Sequence, residues 1–200
     1  MEGVSIEQRL CSAGRAVPAL RRLAQRLFKS GDAADQRAAA TLTVLTQTGA
    51  RPGNTAYTRA HGTHGITTLT YRHVRCVGDD VRLDFTGKKG VRQQFSLRSR
   101  PLAAWVRLCR ASRSCAPFLS SWQLSQLLRK HGTRAKDIRT WRANEAFVRA
   151  KNRGKSDEEA VAIVAEAIGN TAGVCKRSYI SPKLIGLGAR RGAYALPCRR

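Results

Sequence analysis

Val81-Arg82-Leu83-Asp84-Phe85-Thr86-Gly87-Lys88-Lys89-Gly90-Val91-Arg92-Gln93-Gln94-Phe95-Ser96-Leu97 carries a period of two. Val81, Leu83 and Phe85 alternate with Arg82, Asp84 and Thr86, the pattern of a strand with one buried face and one wet face. Val91, Phe95 and Leu97 resume beyond Gly87-Lys88-Lys89-Gly90, which reads as a turn. Gly78-Asp79-Asp80 marks another turn. From Ile66 to Leu97 the spacing predicts a small antiparallel meander with Lys88 and Lys89 at a hairpin tip.

On both sides of this stretch the period is helical. Pro18 suits the first turn of a helix through Leu20, Leu23, Leu27 and Phe28, with Gly31 as its stop. A second helix is predicted from Ala33 to Gln47, capped by Asp32. After Pro101, the residues Leu102, Trp105, Val106 and Cys109 share one face. Ser120 or Ser121 can cap a segment holding Leu124, Leu127 and Leu128, and a helix through Ile138, Trp141, Phe147 and Val148 follows. Ser156 with Glu159 forms a capping box ahead of Ala160–Ile168, which Gly169 ends. Helices, a small sheet, then helices predict an α+β, mostly α-helical domain. Trp105, Trp122 and Trp141 lie at helical spacing with leucines and are expected in the core.

The 200 residues include 37 Lys+Arg against 13 Asp+Glu, a net charge of +24, with 42% hydrophobic residues. That is enough apolar content for a core, and a pI near 11.3 points to a polyanionic partner. No run of about 18 apolar residues is present, so no membrane helix is predicted. The N-terminus lacks a basic segment followed by an apolar one, so no secretory signal is expected. Cys11, Cys76, Cys109, Cys115, Cys175 and Cys198 form neither C-x-x-C pairs nor zinc-finger spacings and read as buried reduced thiols of an intracellular protein. The 28 Arg outnumber the 9 Lys, and arginine forks bind phosphate bidentately.

Four segments carry chemistry. The first is Gly49-Ala50-Arg51-Pro52-Gly53-Asn54-Thr55-Ala56-Tyr57 with Gly62-Thr63-His64-Gly65-Ile66-Thr67-Thr68-Leu69. The second is Phe85-Thr86-Gly87-Lys88-Lys89-Gly90. The third is Lys136-Asp137-Ile138-Arg139-Thr140-Trp141. The fourth is Gly169-Asn170-Thr171-Ala172-Gly173-Val174-Cys175-Lys176-Arg177-Ser178-Tyr179-Ile180. Their order, and the nine-residue step from Asn170 to Tyr179, resemble the catalytic domain of type IB DNA topoisomerases of the small poxviral and bacterial kind. The resemblance covers roughly Leu42 to Pro182.

The residues support the same chemistry on their own terms. Breaking a phosphodiester needs a nucleophile, charge stabilisation on the non-bridging oxygens and a proton for the leaving oxygen. Tyrosine is an accepted covalent nucleophile, but its ordinary pKa near 10 calls for a strongly cationic site. Arg51 and Arg139 are candidates to grip two non-bridging oxygens. Lys88 on a hairpin tip is a candidate to protonate the leaving 5′ oxygen. The resemblance implies these same roles. It makes Tyr179 the residue that forms a 3′-phosphotyrosyl bond and Lys136 a supporting cation. Where the poxviral and eukaryotic pattern has His, this chain has Asn170, as bacterial relatives do. Asn can donate to a phosphate oxygen but cannot move a proton at pH 7, so Asn170 is assigned positioning alone. Lys89, Lys176, Arg177, His64 and Tyr57 are expected to contact DNA. No metal and no other cofactor is expected: the chain shows no phosphate-binding G-x-x-x-x-G-K-[ST] loop and no acidic cluster for magnesium.

The resemblance implies that residues 1–182 form a single catalytic domain, with 183–200, including Arg190, Arg191, Arg199 and Arg200, as a basic C-terminal tail. It also implies a smaller N-terminal clamp domain, which the forty or so residues before the region of resemblance do not provide. A stand-alone or shortened catalytic domain, or a gene start further upstream, is expected. The expected partner is double-stranded DNA, bound by a monomer with strong salt dependence. The expected location is the bacterial cytoplasm, with the nucleoid, or the interior of a virus- or phage-infected cell.

Each segment alone also fits an ordinary role. Arg51-Pro52-Gly53 can be a helix stop, Lys88-Lys89 a solvated turn, Arg139 surface charge and Tyr179 a packed aromatic. His64 and His73 lack carboxylate or thiolate partners for a metal and read as structural or DNA-facing. Two other functions remain open. A tyrosine recombinase or integrase shares the Arg-Lys-Arg-Tyr logic but usually shows His-x-x-Arg where this chain has Lys136-Asp137-Ile138-Arg139. A non-catalytic basic DNA-binding protein would need only the charge.

Overall fold

The computed structural model describes residues 4–113, 116–186 and 195–196. The chain opens with α1 (Ile6–Leu27). Ser5 Oγ accepts from Gln8 N at 3.1 Å, and Gln8 Oε1 accepts from Ser5 N at 2.8 Å. That capping box starts the helix well before Pro18, which corrects the expected start: Pro18 sits inside α1. An interior proline costs about 3 kcal/mol. Here Pro18 faces solvent, and Leu10, Ala13, Val17, Leu20 and Ala24 bury an unbroken stripe across it. The helix also ends earlier than expected, at Leu27 rather than at Gly31.

Helix α2 (Ala33–Thr48) is capped by Asp32, whose carboxylate accepts from Asp35 N. Gly49 ends it in the left-handed conformation, φ 65°. After the short α3 (Thr55–His61), Ile66–Thr68 and Tyr71–His73 form 3₁₀ turns, so the extended meander starts later than Ile66. Thr68 Oγ1 and Thr70 Oγ1 accept from the neighbouring Gly65 N and Arg72 N, and Thr67 Oγ1 accepts from Gly53 N fourteen residues back, so side chains take the place of a ladder here.

The sheet is β1 (Val74–Val77), β2 (Asp80–Thr86) and β3 (Arg92–Arg98), antiparallel in that order. Leu83 stands opposite both Val74 and Phe95, and Val81 opposite Leu97. One face is therefore an apolar row, as the alternation predicts.

Helices α4 (Arg100–Ser112), α5 (Ser121–Lys130), α6 (Ala135–Asn152), α7 (Asp157–Ile168) and α8 (Ala172–Ser178) complete the α+β, mostly helical fold. Ser120 caps α5 and Ser156 caps α7, both in capping boxes. Trp105 is buried and donates to Pro117 O at 2.8 Å. Trp141 is half-buried beneath the Arg21 guanidinium. Trp122, however, is 70% exposed. It lies two residues before Leu124, on the opposite side of α5 from the buried Leu124 and Leu128.

Two apolar cores result. The larger joins α1, α2, the inner face of the sheet, α4, α5 and Ile138. The smaller joins Ala143, Phe147 and Ala150 to α7, Cys175, Tyr179, Ile180 and Leu184. Helix α6 thus contributes its first half to one core and its second half to the other. Packing continues past Pro182: Leu184 is buried, Ile185 lies against the smaller core, and Gly186 N donates to Asp157 Oδ2 at 2.7 Å. Arg190, Arg191, Arg199 and Arg200 lie outside the described residues. Cys76 and Cys175 are free thiols, with Cys76 only half-buried, and Cys109 is buried. Cys11 is disulfide-bonded, which corrects its reading as a reduced thiol; Cys115 and Cys198 lie outside the described residues.

Candidate active site

Arg139 sits at the joint between the two cores, 3% exposed. Its Nη1 donates to Gly49 O at 2.8 Å, and its Nη2 donates to Ile168 O. These carbonyls close α2 and α7, where the helix dipoles leave partial negative charge. The guanidinium is therefore held by two helix ends rather than by a carboxylate. Gly49 lies two residues before Arg51, and Ile168 lies two residues before Asn170. Burial, then repulsion from Arg51, pull Arg139 below its ordinary pKa, while Tyr179 acts the other way. Its Nε is buried without a hydrogen-bond partner.

Tyr179 lies over this cation. Its ring centre is 5.4 Å from Arg139 Cζ, and the residue is 9% exposed. Burial alone pushes its phenol up. The charge of Arg139 and hydrogen bonding to Arg51 and Arg139 more than reverse that, so the net shift is downward. The segment is fixed from below by Asn144, fully buried on α6. Asn144 Nδ2 donates to Tyr179 O at 2.6 Å and to Thr140 O at 2.8 Å, and Asn144 Oδ1 accepts from Ser181 N at 2.8 Å. Cys175 packs one turn earlier, and burial raises its thiol against the opposing pull of the two arginines.

Arg51 is placed by backbone packing between the halves of the first segment. Ile66 N donates to Arg51 O at 2.9 Å. Thr67 Oγ1 donates to Gly53 O and accepts from Gly53 N, each at 3.0 Å. A β-carbon on Gly65 would stand 2.5 Å from Arg51 O and 2.6 Å from Gly53 N, so only glycine fits there. Asn54 caps α3, accepting from Ala56 N and Tyr57 N.

Arg51, Tyr57, His64 and Lys88 line one cavity of about 200 Å³. His64 N donates to Thr86 O at 2.7 Å, which ties the Arg51 region to the hairpin carrying Lys88. Lys88 and Lys89 are exposed in a 3₁₀ turn between β2 and β3, with Lys89 left-handed at φ 64°. The His64 and His73 rings lie 4.3 Å apart. Burial, then His64, pushes His73 down. Among the described residues, no three His, Cys, Asp or Glu side chains cluster as a metal site.

Asn170 follows the left-handed cap of α7, and its Nδ2 is buried without a partner. Lys136 is exposed in the first turn of α6, while its neighbour Asp137 is buried and accepts from Arg134 N at 3.0 Å. Lys176 and Arg177 are exposed on α8. The structure thus draws Arg51, Arg139 and Tyr179 together, and Arg51 with Lys88, His64 and Tyr57. It leaves Lys136, Lys89, Lys176 and Arg177 at the surface. Sequence reasoning missed Asn144, whose signal is a polar residue beside the core positions Ala143 and Phe147.

The family model for the catalytic core of eukaryotic DNA topoisomerase I matches residues 9–184. The chain belongs to the DNA topoisomerase I catalytic-core family. It is 24% identical over 151 residues to the DNA topoisomerase I of monkeypox virus, covering 68% of this chain and 48% of that protein. The same figures hold for the DNA topoisomerase 1B of vaccinia virus strain Copenhagen. This topoisomerase-family chain spans about half the length of those relatives. No described helix is long and apolar enough to cross a membrane.

Proposed function

We propose that this chain is a type IB topoisomerase that relaxes supercoiled double-stranded DNA by cutting and resealing one strand. The observation that carries the reading is the Tyr179 phenol lying against Arg139 and Arg51, with its pKa drawn downward. Tyr179 Oη attacks the scissile phosphorus and loses its proton to solvent. The P–O5′ bond breaks, and the Lys88 ammonium gives a proton to O5′. The 3′ phosphate stays on Tyr179 while the 5′ end swivels. Resealing runs the same steps backwards, so the bond energy is kept and no nucleotide is needed.

Arg139, through its unpartnered Nε, and Arg51 grip the non-bridging oxygens. Asn170 Nδ2 donates to one of them, and Lys136 adds positive charge once DNA is bound. Lys89, Lys176, Arg177, His64 and Tyr57 contact the duplex, whose phosphates are neutralised by the +24 surface. The reading assigns charge stabilisation to the arginines, with no metal, and takes residues 1–182, together with Leu184, Ile185 and Gly186 that pack onto them, as one catalytic domain working as a monomer. Chromosomal, plasmid or viral DNA inside a cell is the corresponding substrate.

The test is relaxation of negatively supercoiled plasmid in EDTA without ATP. Relaxation by the wild-type chain but not by Tyr179→Phe supports the reading. Equal relaxation by both, or no covalent capture of nicked DNA by the wild type, overturns it.

A further inference from the structure

We infer that Gln93 is a positioning residue that sets Lys88 against the Tyr179 side of the site. The inference rests on Lys88 being the proton donor of the proposed reaction. Gln93 is half-buried on β3, opposite Phe85, and its side chain lies between two glycines on different parts of the chain. One is Gly87, immediately before Lys88. A β-carbon there would stand 2.7 Å from Gln93 Cγ, well inside the contact distance of two carbons. The other is Gly169, immediately before Asn170, where a β-carbon would overlap the Gln93 carboxamide. One side chain therefore fills the space between the hairpin, which belongs to the larger core, and the end of α7, which belongs to the smaller one.

The consequence is geometric. Lys88 is on an exposed turn, yet a proton donor must come within about 3 Å of the oxygen it serves. An error of about 1 Å in such a placement costs on the order of 100-fold in rate. The Gln93 amide is weakly engaged: Nε2 reaches Arg92 O at 3.4 Å. Its contribution is bulk and contact, which a side chain of similar length can supply.

The experiment measures single-turnover cleavage of two duplexes that differ at one atom, with oxygen or sulfur at the scissile 5′ bridging position. Sulfur leaves as a thiolate without protonation, so a misplaced proton donor no longer matters. Gln93→Ala is expected to cut the oxygen duplex about 10- to 100-fold more slowly and the sulfur duplex at close to the wild-type rate. Gln93→Met is expected to keep both rates. The oxygen-to-sulfur ratio does not depend on how much of a variant is folded.

Lys88→Ala is the reference. If it is rescued by sulfur and Gln93→Ala is not, this inference falls and the role of Lys88 stands. If Lys88→Ala is not rescued, the role of Lys88 falls and this inference with it. An unchanged oxygen rate in Gln93→Ala, or a Gln93→Met variant as impaired as Gln93→Ala, also overturns it.

Discussion

Asn144 holds the main chain of Tyr179. Its Nδ2 donates to Tyr179 O at 2.6 Å, while its Oδ1 accepts from Ser181 N two residues further on at 2.8 Å. The phenol thus approaches Arg139 on a backbone anchored to the same helix that carries Arg139. Asn144→Ala strands a buried carbonyl and a buried N–H. Each stranded group costs about 1–3 kcal/mol, so urea unfolding should show a loss of about 2 kcal/mol or more. Asn144→Asp keeps the acceptor for Ser181 N but loses the donor to Tyr179 O. Covalent capture of nicked DNA should fall in both variants.

The phenol of Tyr179 should ionise below the ordinary tyrosine range. Ultraviolet titration of the wild type should contain an early component that Tyr179→Phe lacks. Tyr71, which Arg72 also draws down, should remain early in both. Arg51→Ala should move the Tyr179 component upward. The sign for stability follows: an acid with a depressed folded pKa adds stability above its unfolded pKa, and this is lost as pH falls through the folded value. The gain is complete above the ordinary tyrosine pKa near 10 and absent below the lowered folded value. Cleavage should instead rise with pH through the lowered pKa.

Arg139→Ala removes a buried cation from two helix ends. Hydrogen bonds from a charged group contribute about 1.5–3 kcal/mol each, so a loss of about 3 kcal/mol in unfolding free energy is expected. Arg139→Lys keeps the charge but lacks the fork that reaches Gly49 O and Ile168 O together. It should recover part of the stability and little of the covalent capture.

Gly65→Ala should act on Arg51 through the backbone. The added carbon would press on Arg51 O and Gly53 N. Moving Arg51 by about 1 Å should slow cleavage on the order of 100-fold. Non-covalent duplex affinity, dominated by the +24 charge, should change little. Equal losses in binding and cleavage would place the damage elsewhere than at Arg51.

The sheet was legible because Val81, Leu83 and Phe85 have one buried face and a period of two needs no tertiary information. The caps at Asp32 and Ser156 were legible for the same local reason, and the cap of α5 to within Ser120 or Ser121. Arg51, Arg139 and Tyr179 could be picked out by order and spacing, but not the means of holding them. Asn144 bonds across 35 residues to Tyr179, and Arg139 across 90 to Gly49. No local pattern encodes such distances. Pro18 misled because a proline is locally a helix start, whereas the capping box at Ser5 and the buried stripe on α1 outweigh it. Trp122 misled because its residue type favours burial while its helix face looks outward.

Helix α6 belongs to both cores, and Arg139 touches a carbonyl from each side of the joint. If the smaller core loosens, Ile168 O withdraws from the guanidinium and Tyr179 leaves with its own core. The reactive oxygen and the seating of its cation are then lost in the same event. A molecule half-open before cleavage would be idle: it could still cling to a duplex through its surface charge, but it could not start a break.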